Sequence, residues 1–123
     1  MKTTILHVGV MSKEDYKKRT IAIAKGEYTP KKNEPKVWFE SVKSIGQILS
    51  SENQELLKLI MISKPKSLTE LEQISGRKKS NLSRTLKTLE RYGIVELGKD
   101  NNCIVPKVKA TDFHIEFGIK SVA

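Results

Sequence analysis

Six basic side chains fall within fifteen residues of the chain: Arg77, Lys78, Lys79, Arg84, Lys87 and Arg91, against one acid, Glu90. The run carries a local charge of +5. Fixed cations at helical spacing suit hydrogen bonding to phosphate oxygens, and an arginine can also grip guanine O6 and N7 with both arms of its fork. Asn81, within the same run, carries the amide that matches adenine N6 and N7. If Leu82, Leu86 and Leu89 turn inward at i, i+4 and i+7, then Arg77, Ser80, Arg84, Lys87, Thr88 and Arg91 point outward. The first residues of a groove-binding helix reach deepest, so Ser80, Asn81, Ser83 and Arg84 are expected to read bases. Arg77, Lys78, Lys79, Lys87 and Arg91 are expected on phosphates, which position a protein without conveying sequence. The plain alternative is an ordinary solvated helix face.

Other chemistry is poorly supplied. His7 and His114 are isolated, and Cys103 with His114 gives two of the three or four ligands that a zinc site uses. The sequence holds no Walker-type glycine loop, no H-E-x-x-H and no G-x-S-x-G. Neither a catalytic centre, a metal nor a cofactor is expected. Trp38 and Phe39 could stack on bases, but their apolar setting reads as core or interface. Cys103 is expected to pack inside a hairpin, and His114 to lie on the outer face of a strand.

The elements that must position the basic run follow from periodicity and turn chemistry. Glu52 to Ser63 is apolar on nearly every side of a helix, through Leu56, Leu57, Leu59, Ile60, Met61 and Ile62, as a central core helix would be. Pro65 disfavours helix at Lys64. Ser67-Leu68-Thr69-Glu70 is a capping box opening a short helix whose Leu68, Leu71 and Ile74 point inward before Gly76. A third helix runs from near Ser80 to about Tyr92, and Gly93 ends it. Ile94 to Leu97 then reads as a strand, Gly98 to Asn102 as a turn and Cys103 to Val105 as the return strand, with Lys99 at the tip and Lys107 beyond it. Lys99 is a further candidate for a phosphate contact. Pro106 suits a strand edge.

Upstream, Thr3 to Val10 has strand composition, and Ser12 opens a helix running to Lys25 that pairs Glu14 with Lys18 and Asp15 with Arg19. Gly26 to Lys36 is a polar loop. Val37-Trp38-Phe39 is a short strand, and a helix with Val42, Ile45, Ile48 and Leu49 on one face follows. At the other end Phe113, Ile115, Phe117 and Ile119 alternate with His114, Glu116 and Gly118, giving a half-buried strand. The division expected is an N-terminal strand and helix extension over residues 1–50, a DNA-binding unit over 51–110 and a C-terminal strand over 111–123. The terminal strands are candidates for a dimer or partner surface.

Composition agrees with a polyanionic partner. The 123 residues hold 23 Lys+Arg against 14 Asp+Glu, a net charge of +9, and 37% are hydrophobic. The halves carry +5 (residues 1–50) and +4 (residues 51–123), but in the second half the excess lies on one helix. No apolar run approaches the roughly 20 residues of a membrane-spanning helix. The N-terminus lacks a cleavage site, and one cysteine suits a reducing compartment, so a cytoplasmic protein is expected.

Two helices joined by a glycine-containing turn, the second basic, followed by a hairpin, form the pattern of a helix-turn-helix with a wing. Leu68-Thr69-Glu70-Leu71, Ser75-Gly76-Arg77, Ser80 to Glu90 and Tyr92 to Leu97 resemble the winged helix-turn-helix regulators of the MarR/ArsR type. Phe39-Glu40-Ser41 and the stretch from Ser51 to Leu57 resemble small prokaryotic antitoxin-like DNA-binding proteins of the TumA type. The chain departs from the MarR type in having strands at both ends instead of long dimerisation helices. The resemblance implies an α+β winged helix-turn-helix, a three-helix core plus a β-hairpin wing. Its function would be that of a sequence-specific regulator of double-stranded DNA, a repressor acting as a homodimer. The alternative is an antitoxin that covers a small toxin with its N-terminal region and represses the shared operon, and an RNA-binding winged helix carries the same charge.

Overall fold

Ser12, Ser41, Ser50 and Ser67 open four of the five helices, and each hydroxyl accepts the backbone N–H three residues on. The computed structural model describes residues 3–119. The expected N-terminal segment and C-terminal strand segment extend into residues 1–2 and 120–123, which lie outside that range. The described chain is a mixed α+β fold with the order β1 (Ile5–Val10), α1 (Lys13–Ala24), β2 (Val37–Phe39), α2 (Val42–Ile48), α3 (Ser51–Ser63), α4 (Leu68–Ser75), α5 (Lys79–Arg91), β3 (Val95–Asp100), β4 (Cys103–Val108) and β5 (Asp112–Glu116). None of the described helices is long and apolar enough to cross a membrane.

Leu56, Leu57, Ile60, Leu68, Leu71, Leu82, Leu86 and Leu89 form one core together with Ile94 and Val95, so α3, α4 and α5 pack around a shared centre with the start of β3. A smaller core joins Val8 of β1, Phe39 of β2 and Ile45 of α2. Leu6, Ile48, Leu49 and Tyr92 touch both, and the rings of Tyr92 and Phe39 stack at 4.4 Å. The segment before residue 51 is therefore packed onto the helices that follow it. Gly76 and Gly93, both at positive φ, end α4 and α5 in the left-handed conformation that a side chain would resist.

Three apolar positions expected inside are outside. Val42, Ile62 and Ile74 are exposed, Ile62 by 76%. The α3 core face is narrower than its composition suggested, because α4 and β4 contact it and nothing covers Ile62. Glu70 also departs from the capping box: its carboxylate accepts the Lys66 N–H at 3.4 Å, not that of Ser67.

The hairpin is longer and its turn shorter than expected. Asn101 and Asn102, with φ of 51° and 64°, make a two-residue turn of the type that matches strand twist, so Gly98, Lys99 and Asp100 belong to β3 and β4 continues through Pro106 to Val108. Counting from the turn-closing pair Asp100 and Cys103, Pro106 opposite Leu97 falls at a non-hydrogen-bonded position, where its missing N–H breaks no ladder bond. Cys103 beside the turn is exposed and not packed inside, since the tip projects beyond the core.

The first and last described strands meet in one sheet. β1 is its central strand, parallel to β2 on one side and to β5 on the other, in the order β2-β1-β5. Both edges of β1 are thus occupied, so it has no free edge for a strand of another molecule. The expected C-terminal strand ends at Glu116, and Ile115, Phe117 and Ile119 are 51%, 57% and 95% exposed instead of half-buried.

The pairing of Asp15 with Arg19 does not form. Arg19 donates from Nε to Glu34 Oε1 at 3.0 Å, and its guanidinium lies 5.2 Å from the centre of the Trp38 ring and 5.7 Å from that of Tyr28. Trp38 in turn lies across Gly9, where any Cβ would overlap the indole. A nearly buried, doubly stacked site outcompetes an exposed i,i+4 pair on the helix surface.

Candidate nucleic-acid interface

α5 is held by its leucines. Leu82, Leu86 and Leu89 are fully buried, which pins one face of the helix against α3, α4 and β3 and leaves the opposite face in water. Along that face Ser80, Arg84, Lys87 and Arg91 recur at i, i+4, i+7 and i+11, all exposed, with exposed Asn81 beside them. Among the described residues, none of Arg77, Lys78, Lys79, Arg84, Lys87 and Arg91 forms an ion pair.

The start of α5 is set by α4. Glu72 accepts the Lys79 backbone N–H at 2.7 Å, and Lys79 Nζ donates to Thr69 Oγ1 at 3.2 Å, so the carboxylate sits at the positive end of the α5 dipole and the lysine clasps the turn. Lys78, at the cap position, makes no side-chain cap hydrogen bond.

A groove of about 610 Å³ runs between the beginnings of α5 and α3. Arg77, Lys78, Ser80, Asn81, Arg84 and Thr85 line one wall, and Gln47, Ser50, Glu52 and Asn53 the other. Arg77 Nη1 donates to Asn53 Oδ1 at 3.4 Å across it, while Asn53 Nδ2 is tied to the Ile48 carbonyl at 2.9 Å. Three cations face one acid there, Glu52, so the groove is positive and carries amide and hydroxyl groups on both walls. Such a surface can take an anion together with groups that donate or accept hydrogen bonds.

Five of the sequence-designated residues, Arg77, Lys78, Ser80, Asn81 and Arg84, therefore share one groove, and Lys87 and Arg91 continue its basic wall along α5. Ser83 departs from that set: it is half-buried on the flank of the helix and does not line the groove. Lys99 is not at the hairpin tip. It lies one pair back, opposite Ile104, in a separate groove of about 330 Å³ shared with Glu96, Asp100 and Lys107, where acids and bases alternate.

Gln47, Ser50 and Asn53 were not legible as site residues. Ser50 announces itself as a helix cap, but that Asn53 meets Arg77, twenty-four positions away, follows only from how the turn between α4 and α5 lies beside the start of α3. The second missed cluster is Arg19 with Tyr28, Glu34 and Trp38. Burial disfavours the Glu34 carboxylate, yet hydrogen bonds from the Lys31 N–H, the Tyr28 hydroxyl and Arg19 outweigh it and hold its pKa below the ordinary value, while that bond to Glu34 pushes the Tyr28 hydroxyl up. With Arg19 and Glu34 only 13% and 11% exposed, the cluster is a closed clasp on the 26–36 loop and offers no free cation.

No group of three or more His, Cys, Asp or Glu is placed to hold a metal among the described residues. No curated protein and no solved structure gives a significant match to the chain. A family model does match, over residues 48–115, a span that takes in α3, α4, α5, the hairpin and most of β5, and so nearly all of both groove walls. More than half the chain lies in that match, and the chain belongs to the HVO_A0114 family.

Proposed function

We propose that this protein is a winged-helix regulator that binds duplex DNA, with α3, α4 and α5 as the three-helix core, α5 as the recognition helix and the β3–β4 hairpin as the wing. The observation that carries the reading is the division of α5 into a fully buried leucine face and an opposite basic face without ion pairs. A helix of 13 residues, about 20 Å long, fits a major groove about 12 Å wide. Ser80, Asn81 and Arg84 at its start read base edges, and Lys78, Lys87 and Arg91 hold phosphates. Arg77 joins them from the same wall, with Gln47 and Asn53 on the opposite wall as further hydrogen-bonding groups. Lys79 and Lys99 are secondary phosphate contacts, the first because it is tied to Thr69 and the second because acids surround it. A short helix reads few bases, so the protein acts as a homodimer on two half-sites and represses by occupying them. The reading also implies a cytoplasmic protein, where such DNA is found.

The test is a gel shift with a pool of random-sequence duplexes at low salt, repeated with structured RNA as competitor. Retardation of duplex, weakened by added salt and strongly reduced in Arg84→Ala/Lys87→Ala, is expected. Failure to retard duplex at low salt, or preferential displacement by RNA, overturns the reading.

A further inference from the structure

The two edges of the three-stranded sheet are unlike. β2 is three residues long, is entered through Pro35 and Lys36 and is left through Glu40, the devices by which a sheet edge is kept from pairing. β5 has no proline, and no strand pairs with its outer edge among the described residues. The Asp112 N–H points inward, to the Thr4 carbonyl of the β1 side at 3.1 Å. By the alternation of a strand, the backbone groups of His114 and Glu116 also face β1, whereas those of Phe113, Ile115 and Phe117 face the open edge. Phe113 and Ile115 share their face with Leu6 and Val8, with which they are in register, and Phe117 continues the row. The open edge thus couples unpaired backbone groups with an apolar row in which Ile115 and Phe117 are exposed and Phe113 is half-buried against the core.

We infer that this edge pairs antiparallel with β5 of a second copy, about a two-fold axis through Ile115, giving a continuous six-stranded sheet. Symmetric antiparallel pairing must set one residue opposite itself, and charge selects which. Centring on His114 sets Asp112 against Glu116 of the partner subunit, and centring on Glu116 sets two glutamates face to face. Centring on Phe113 leaves Phe117 opposite Lys109. Centring on Ile115 sets His114 opposite Glu116 of the partner subunit twice, and Phe113 opposite Phe117 of the partner subunit twice, with Ile115 against its own copy. That register places every exposed apolar side chain of the strand against another, brings no acid against an acid, and makes roughly six backbone hydrogen bonds from the outward-facing residues. Glu116 then lies between His7 of its own chain, 3.8 Å away, and His114 of the partner subunit. The dimer rests on the two-half-site reading for its role, and on the strand itself for its form.

Sedimentation velocity on the full chain without DNA, over a wide concentration range, is expected to show a reversible monomer and dimer. Ile115→Lys sets two ammonium groups together on the axis at a site that is already exposed, so it is expected to raise the dissociation constant at least about a hundredfold while leaving the circular dichroism and melting of the monomer unchanged. Register is read by cross-linking with the exposed native thiol removed: Cys103→Ser/Ile115→Cys forms a disulfide dimer on oxidation, whereas Cys103→Ser/His114→Cys, whose thiols are diagonal and too far apart, does not. A wild type that stays monomeric, an Ile115→Lys that dimerises as the wild type does, or equal cross-linking at the two positions overturns the inference. A monomer that still retards duplex sinks this dimer and spares the DNA reading. A β5 dimer that ignores duplex does the reverse.

Discussion

α1 and α5 are both basic helices of similar length, and they use their charge in opposite ways. α1 has four basic and two acidic residues, α5 four basic and one acidic. In α1 Lys18 meets Glu14 at 3.7 Å, Lys13 meets Glu40 at 3.9 Å, and Arg19 is enclosed by Glu34, Trp38 and Tyr28. The helix buries no residue fully, so an arginine does the anchoring that leucines do elsewhere. In α5 three leucines anchor the helix and every arginine and lysine side chain stays outside an ion pair. Net charge does not distinguish the two helices. Which side chain attaches the helix to the protein does, because an anchored cation is no longer available to an anion in solution.

The largest effect that would sharpen this contrast is on stability. Leu86→Ala should lower the unfolding free energy by about 3 kcal/mol, the usual loss for a buried leucine, whereas Ile21→Ala on α1, at a largely exposed position, should change it by less than about 0.5 kcal/mol. Chemical denaturation of the two variants measures both, and equal losses would erase the distinction. Next comes binding. Arg84→Ala/Lys87→Ala should weaken duplex affinity by roughly 30-fold and reduce the slope of log affinity against log salt by nearly 2, while Lys17→Ala/Lys18→Ala should change affinity less than about threefold. Fluorescence anisotropy at several salt concentrations gives the slope directly, and an equal response to both pairs would mean that α5 is not the interface.

Glu34→Gln should destabilise the fold by about 1–2 kcal/mol by leaving Arg19 poorly paired, without altering duplex binding. The pH dependence has a definite sign. Because folding holds the Glu34 pKa below its ordinary value of 4.5, its contribution is complete above that value and is lost as pH falls through the lower, folded one. Wild type and Glu34→Gln should therefore converge in melting temperature as the solution is acidified below the ordinary carboxylate range. The smallest effect is expected at Lys18→Ala, where an exposed i,i+4 pair contributes about 0.3 kcal/mol, within the error of most melts. A clearly larger loss there would show that α1 depends on its surface pairs and not on Arg19.

The local plan of the molecule was legible because it is written at short range. Serine caps, the glycines after α4 and α5, and the leucine spacing of α5 act within a turn or two of chain, and each element they predict is present within a residue or two. The hairpin is legible in the sequence but its turn is not, since Gly98-Lys99-Asp100 has turn composition while the two asparagines alone take the left-handed conformation. The partner of Arg19 is not legible, because a carboxylate four residues away is visible in sequence and one fifteen away is not. Of the groove, one wall could be read from α5 alone. The other, with Gln47, Ser50 and Asn53, could not, because nothing in the polar composition of a helix start says what crosses in front of it.

By itself, then, the sequence determined the basic face of α5, for the leucines at i, i+4 and i+7 admit only one orientation of that helix against a core and the cations must take the other side. Tertiary structure alone decided that β1 and β5 share a sheet, that β1 is closed on both edges and β5 open on one among the described residues, and that the start of α3 supplies the far wall of the groove. The physical reason is reach. Periodicity and capping report on backbone groups a few residues apart, while strand neighbours and helix crossings are chosen by which apolar faces, distant in the chain, exclude water from one another.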